Sequence, residues 1–151
     1  NSHVTYKTFQ TSVGVQWVGL SNPFNGNDTH NLKAFTWTPE FTLTSTYLIP
    51  SLKTTFFLAW KLAGKRPGYE QISNGEIRAT EIASYNMADF SFIRPIGKLV
   101  QFNAGVRNIF DVTNIRNSSN TEGTHNTGGN RPISYGRSYF VGLQVNFKKN
   151  P

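Results

Sequence analysis

Cysteine is absent from the 151 residues, which removes disulfide frameworks, thiolate metal sites and cysteine nucleophiles together. Charged residues are scarce, at 15%, where an average soluble domain has about a quarter. No apolar run approaches the roughly 20 residues that a membrane-crossing helix requires, so a helical membrane protein is excluded. No basic segment followed by an apolar one opens the sequence in the manner of a signal peptide. Catalytic signatures are missing too: there is no H-E-x-x-H, no G-x-S-x-G and no P-loop. His3, His30 and His125 are too dispersed for zinc spacing. Gly123, Gly128 and Gly129 with Asn126 and Asn130 read as a flexible loop, because no strand-to-helix context surrounds them that would make a phosphate cradle. Neither an enzyme nor a cofactor is expected.

What is plentiful is strand and turn chemistry: aromatics at 14%, 13 glycines, and abundant Thr and Asn. The net charge of +7 raises the question of nucleic acid, but the Lys and Arg residues occur singly or in pairs such as Lys65 and Arg66. They form no stripe with interleaved aromatics, so nucleic acid is not an expected partner.

Alternation with a period of two, the mark of a strand with one apolar and one polar face, recurs along the chain. From Phe35 the odd positions read Phe35, Trp37, Pro39, Phe41, Leu43, Ser45, Tyr47 and Ile49, against a nearly unbroken series of Thr at the even ones. After Pro50 and Ser51 the pattern resumes with Leu52, Thr54, Phe56, Leu58, Trp60 and Leu62, predicting a hairpin. Val100, Phe102, Ala104 and Val106 make a further strand, and Tyr139, Val141, Leu143, Val145 and Phe147 the last one. A fifth covers residues 85–93, where Met87 falls out of phase and predicts a bulge. The sixth covers residues 9–19 through Val13, Val15 and Trp17, while Val4 and Tyr6 lie on the opposite phase. On the polar faces stand Lys53, Lys61 and Arg107.

The connections alternate in length. Short ones lie at 50–51 and 94–98, and long polar ones at 21–32, 64–80 and 111–136. A transmembrane β-barrel has this rhythm, with short turns on the periplasmic side and long loops outside. Trp17, Trp37, Trp60 and Tyr139 fall toward one end of the strands, and Tyr47 and Phe147 toward the other, as two interfacial aromatic girdles would. A soluble β-sandwich alternates as well, and 151 residues suffice for one.

Two stretches narrow the choice. Gly105-Val106-Arg107-Asn108-Ile109-Phe110-Asp111 is followed, after a loop, by Gly136-Arg137-Ser138-Tyr139-Phe140-Val141-Gly142-Leu143. This pairing resembles the closing strands of TonB-dependent outer-membrane receptors. Pro39-Glu40-Phe41-Thr42-Leu43 is similar to that family's strand start after a loop, and Gly64-Lys65-Arg66-Pro67 to its glycine-led exit from the next strand. The resemblance covers nearly everything from Pro39 onward. It implies an all-β, antiparallel transmembrane barrel, of which this chain supplies about six C-terminal strands out of about 22. Two features depart from the family pattern: Lys148 to Pro151 follow the terminal aromatic Phe147, and no plug domain is present, so a portion of a longer receptor is expected.

The resemblance further implies location in the outer membrane of a Gram-negative bacterium and energy-coupled import of a scarce nutrient, such as an iron chelate, haem, cobalamin, a glycan or a peptide. The implied partners are the remaining strands and plug, an inner-membrane energy-coupling protein acting through the plug, membrane lipid and, in some branches, a surface lipoprotein. Candidate ligand contacts from the long loops are Arg66, Tyr69, Arg116, His125, Arg131 and Tyr135, the arginines suiting carboxylate or phosphate groups. His125 could reach haem iron in a haem importer, or stand simply as an exposed loop residue. Asn108 and Asp111 read as organisers of a turn. A passive channel or adhesion barrel and a soluble β-sandwich binding domain remain the alternatives.

Overall fold

The computed structural model describes residues 2–22, 33–71, 77–118 and 130–147. The protein is all-β. Seven antiparallel strands form one sheet: β1 (Ser2–Tyr6), β2 (Phe9–Ser21), β3 (Phe35–Ile49), β4 (Thr54–Ala63), β7 (Tyr85–Ile96), β8 (Val100–Arg107) and β11 (Ser138–Val145). Two ribbons complete the described structure, β5 (Arg66–Gln71) with β6 (Ile77–Ile82), and β9 (Asn114–Arg116) with β10 (Asn130–Pro132). The sheet does not close on itself, and β1 and β11 each leave one edge unpaired among the described residues.

The six strands read from the sequence are all present, and β1 is added to them. Tyr6 pairs with Phe9 and Val4 with Thr11, so Val4 and Tyr6 lie on the same face as Val13. A two-residue turn reverses the sequence phase without reversing the face, which is why the alternation there reads as broken. The turn is made at Lys7, whose φ is 52°. The expected bulge at Met87 is absent: β7 pairs with β4 in one unbroken register from Ala63↔Tyr85 to Thr55↔Ile93. Met87 sits opposite Lys61 and is an apolar residue on the polar face. Lys53 is not on a strand but in the turn after the short 3-10 helix at Pro50–Leu52, with φ 50°.

Register makes the alternation continuous across strands. One row runs Phe9, Tyr47, Phe56, Phe92, Ala104 and Val141, entirely apolar. Neighbouring rings meet along it, Phe9 and Tyr47 at 6.4 Å and Phe56 and Phe92 at 6.0 Å, and Phe92 also meets Phe102 of the next row at 5.8 Å. The other face carries Ser12, Thr44, Ala59 and Asp89 in one row.

None of the described residues covers the apolar face. Among the described residues, the only buried hydrophobic side chains are Ala63, Ala88 and Ile115, while Trp17 and Trp37 are each 62% exposed, Leu143 69% and Val141 73%. A soluble sandwich would pack a second sheet about 10 Å away on such a face; here the sheet is a single layer.

Pro39 lies inside β3, where a missing N–H ought to cost a ladder bond. The loss is confined to the end of the ladder with β4: the Pro39 carbonyl accepts from Gly64 N at 2.9 Å, and the reciprocal bond to Gly64 O is the one that proline cannot donate. On an antiparallel strand a residue's N–H and C=O point to the same side, so the absent donor faces the place where β4 ends. Past that point β3 pairs with β2 alone, out to Ser21↔Phe35. Gly64 is needed at this crossing, since a Cβ would sit 2.7 Å from the Pro39 oxygen.

Candidate functional site

Every connection at one end of the sheet is short (residues 7–8, 50–53 and 97–99), and every one at the other end is long (22–34, 64–84 and 108–137). Two of the long connections carry described strands, the β5–β6 and β9–β10 ribbons, where their composition suggests irregular loops.

These two ribbons are joined. Ile82 bridges Asn117, Ala83 N donates to Arg116 O at 2.8 Å, Ser118 N donates to Glu81 O at 2.9 Å, and Glu81 N donates to Ser118 Oγ at 2.7 Å. Lys65 Nζ adds an exposed ion pair to Glu81 at 2.8 Å. Backbone groups of separate loops thus satisfy one another as sheet strands do.

The ribbon pair is fastened to the sheet at Glu40. Even positions of β3 from Thr36 to Thr46 hold threonine except here, and the Glu40 carboxylate is buried on the polar face. Gln16 Nε2, from β2, donates to Oε2 at 2.7 Å, and Lys61 Nζ, from β4, lies 3.0 Å from the same oxygen. Arg66, at the start of β5, pairs with Oε1. One carboxylate therefore ties four consecutive strands together, while Thr38 Oγ1 adds a bond to Lys65 O at 2.9 Å. Lys61 and Arg66 are part-exposed, at 43% and 37%, so water already satisfies part of their charge.

Removing the Glu40 carboxylate is expected to loosen the β5–β6 ribbon while the main sheet persists. Glu40→Ala should cost about 2 kcal/mol, the scale of hydrogen bonds to a charged group. Glu40→Gln should cost less, since an amide oxygen still accepts from Lys61 or Arg66. Limited proteolysis within residues 64–84 reads this directly, and unchanged protection in Glu40→Ala would show that the carboxylate does not hold the ribbon.

The second fastening is at the foot of the last long connection. Asn108 has φ 53° and is buried. Its backbone N–H donates to Asp89 Oδ1 at 2.8 Å, its Nδ2 donates to Val112 O at 3.0 Å and to Ser134 Oγ at 2.9 Å, and its Oδ1 accepts from Val112 N at 3.0 Å. Asp111, with φ 56°, accepts from Arg137 N at 2.7 Å, and Arg137 Nε donates to Ile109 O at 2.9 Å. Gly136 has φ 88°, which suits glycine alone, and its N–H donates to Ser134 Oγ at 3.1 Å. The two quoted stretches, residues 105–111 and 136–143, are thus clasped to each other, and Asn108 and Asp111 organise the turn as their residue types suggested.

The candidate ligand contacts that fall among the described residues map to the long-connection end. Arg66 is spent on Glu40. Tyr69 lies in β5 opposite Ala79, Arg116 in β9, and Tyr135 is fully exposed between β10 and β11. Arg131 lies in β10, where only its backbone position is described, and His125 and His30 lie outside the described residues. Sequence reasoning passed over Glu40 and Gln16; the available signal was a single acid on an otherwise hydroxylated strand face. Among the described residues no cluster of His, Asp or Glu is arranged to hold a metal ion. No protein-family model, curated protein or solved structure matches this chain.

Proposed function

We propose that this chain is part of the wall and outer rim of an outer-membrane β-barrel, and that the whole protein is an energy-coupled importer of the TonB-dependent kind. The observation that carries the reading is the single-layer sheet with one continuous apolar face that no described residue covers and all of its long connections at one end. Hydrocarbon is the environment in which such a face is favourable, since each large apolar side chain removed from water contributes about 1.5–3 kcal/mol. The unpaired edges of β1 and β11 support a wall that continues into further strands, because open edges do not persist in a bilayer.

Import rather than passive flow is supported by the two closing stretches that resemble the receptor family, and by the way their residues clasp each other at Asn108 and Asp111. In this reading the joined ribbons form part of the ligand-facing rim, the polar face lines the lumen, and a plug and the energy-coupling partner contribute the moving parts. The alternative of a passive channel predicts a steadily open pore.

Separation of inner and outer membranes from the native cell, followed by sequencing of the polypeptide that carries this chain, tests the proposal. An outer-membrane protein longer than these residues, with no steady conductance in a planar bilayer, is the expected result. Steady conductance would favour the passive channel. Recovery as a folded, detergent-free soluble protein would reject the membrane reading altogether.

A further inference from the structure

Followed through the pairing from β1 to β11, the apolar face of the seven-stranded sheet carries a single charged residue, Arg94 of β7. Its position on that face follows from register. Phe92 belongs to the apolar row that includes Phe56 and Ala104, and Arg94, two residues on, stands opposite Phe102, which in turn stands opposite Leu143. Arg94 is exposed, and no acid pairs with it among the described residues. A cation surrounded on its own face by Phe92, Ile96, Phe102 and Leu143 therefore has no counter-charge within the described protein.

Its depth is what makes it tolerable. An arginine on a lipid-facing strand is costly at the middle of a bilayer and almost free at the interface, and Arg94 is the third residue from the end of β7, about 7 Å along the strand from Ile96. From there a long side chain reaches headgroup depth, where phosphate is the anion and a guanidinium can hold two of its oxygens. The charge at this end of the sheet has one sign. Each short connection carries one exposed lysine, Lys7, Lys53 and Lys98, and no Asp or Glu occurs in residues 2–13, 44–58 or 90–103. Lys7 Nζ lies 5.4 Å from the centre of the Tyr6 ring, and Tyr6 is on the apolar face, so this ammonium too is held at the border of that face. Glu40 and Glu81, which pair with Lys61, Arg66 and Lys65, belong to the opposite end.

We infer that Arg94, together with Lys98 of the adjoining turn, binds the phosphate of an anionic phospholipid in the leaflet that meets the short turns, the acyl chains lying along the row of Phe102 and Leu143. The site rests on the outer-membrane reading, which brings lipid to this face, and not on what the whole protein transports.

The full-length protein, carrying the photoreactive residue benzoylphenylalanine at position 96, is folded into vesicles of equal parts phosphatidylglycerol and phosphatidylcholine. After irradiation the attached lipid is identified by mass. One basic group near an anionic lipid is worth a factor of about five. With two such groups the phosphatidylglycerol adduct should exceed the phosphatidylcholine adduct by roughly tenfold or more, and Arg94→Gln should lower that ratio about fivefold. Arg94→Lys retains the charge and should retain most of the excess, while Lys33→Gln, in the long connection at the other end, should leave the ratio unchanged. Equal adducts of the two lipids, or an excess that Arg94→Gln does not reduce, would overturn the site and leave the face in lipid. Irradiation that attaches neither lipid would reject the lipid-facing reading itself.

Discussion

Replacing Val141 by arginine is expected to destabilise the folded protein in a bilayer by about 2–4 kcal/mol, the cost of an arginine on the lipid face near the midplane of a barrel. That corresponds to a fall of roughly 30- to 800-fold in the folding equilibrium. Val141 lies in the middle of β11, opposite Ala104, and is 73% exposed in the isolated chain. Its exposure makes the experiment decisive. If the apolar face were an ordinary protein surface in water, a substitution at so open a position would change stability by no more than about 0.5 kcal/mol. Gln144→Arg, on the opposite face of the same strand, serves as the control and is expected to be tolerated, because a lumen-facing arginine stays hydrated. The measurement is urea-dependent folding of the full-length protein into lipid vesicles, followed by heat-modifiable gel mobility. Equal behaviour of the two arginine variants would remove the lipid-facing assignment of this face.

The second large effect is expected at Asn108. Asn108→Ala deletes three side-chain hydrogen bonds, to Val112 N, Val112 O and Ser134 Oγ; the Val112 groups lose that partner in a part-buried place, while Ser134 Oγ keeps the Gly136 N–H. It also places alanine at φ 53°, where a residue with a Cβ is disfavoured by about 1–2 kcal/mol and asparagine is better tolerated. The combined loss should be about 2–4 kcal/mol. Asn108→Gly separates the two causes: it accepts the backbone conformation but restores no hydrogen bond, so about half of the loss should remain. Hydrogen exchange should rise across residues 108–118 and 130–137 in the alanine variant and stay low in the β3–β4 hairpin, which supplies none of the side-chain hydrogen bonds of Asn108 and Asp111 among the described residues. A stability change under about 0.5 kcal/mol would show that the two closing stretches hold together without it.

How far the sequence discloses this arrangement depends on the distance over which each feature is decided. Strand identity is local. Phe41, Leu43 and Tyr47 face one way and Thr42, Thr44 and Thr46 the other because successive side chains on an extended backbone point to opposite sides, whatever the strand pairs with. The same locality explains two of the misreadings. A two-residue turn at Lys7 reverses the phase without reversing the face, so β1 was hidden, and Met87 is simply an apolar residue on the polar face, with no bulge beneath it.

The site is less legible, because the contacts that build it join residues far apart in the chain. Arg66 reaches Glu40 across 26 positions, Ser134 reaches Asn108 across 26, and Ser118 reaches Glu81 across 37. Asn108 and Asp111 could be read as turn organisers, since Asn and Asp bond to nearby backbone and accept positive φ. That they also clasp the start of β11 could not, because Arg137 and Ser134 enter only through the return of the chain. The six candidate ligand contacts were chosen by residue type and loop position. The folded chain spends Arg66 on an internal carboxylate and places Arg116 in β9.

By itself, then, the sequence determined the all-β class, the two faces of each strand and the alternation of short and long connections, because period-two side-chain direction and turn chemistry act over a few residues. Only the tertiary structure decided that the apolar faces line up into one surface that no described residue covers, that two long connections join through their ribbons, and that Glu40 and Asn108 hold those connections to the sheet. Those outcomes depend on strand register and on the meeting of separate loops, and pairing between residues tens of positions apart is set by the whole sheet rather than by any one segment.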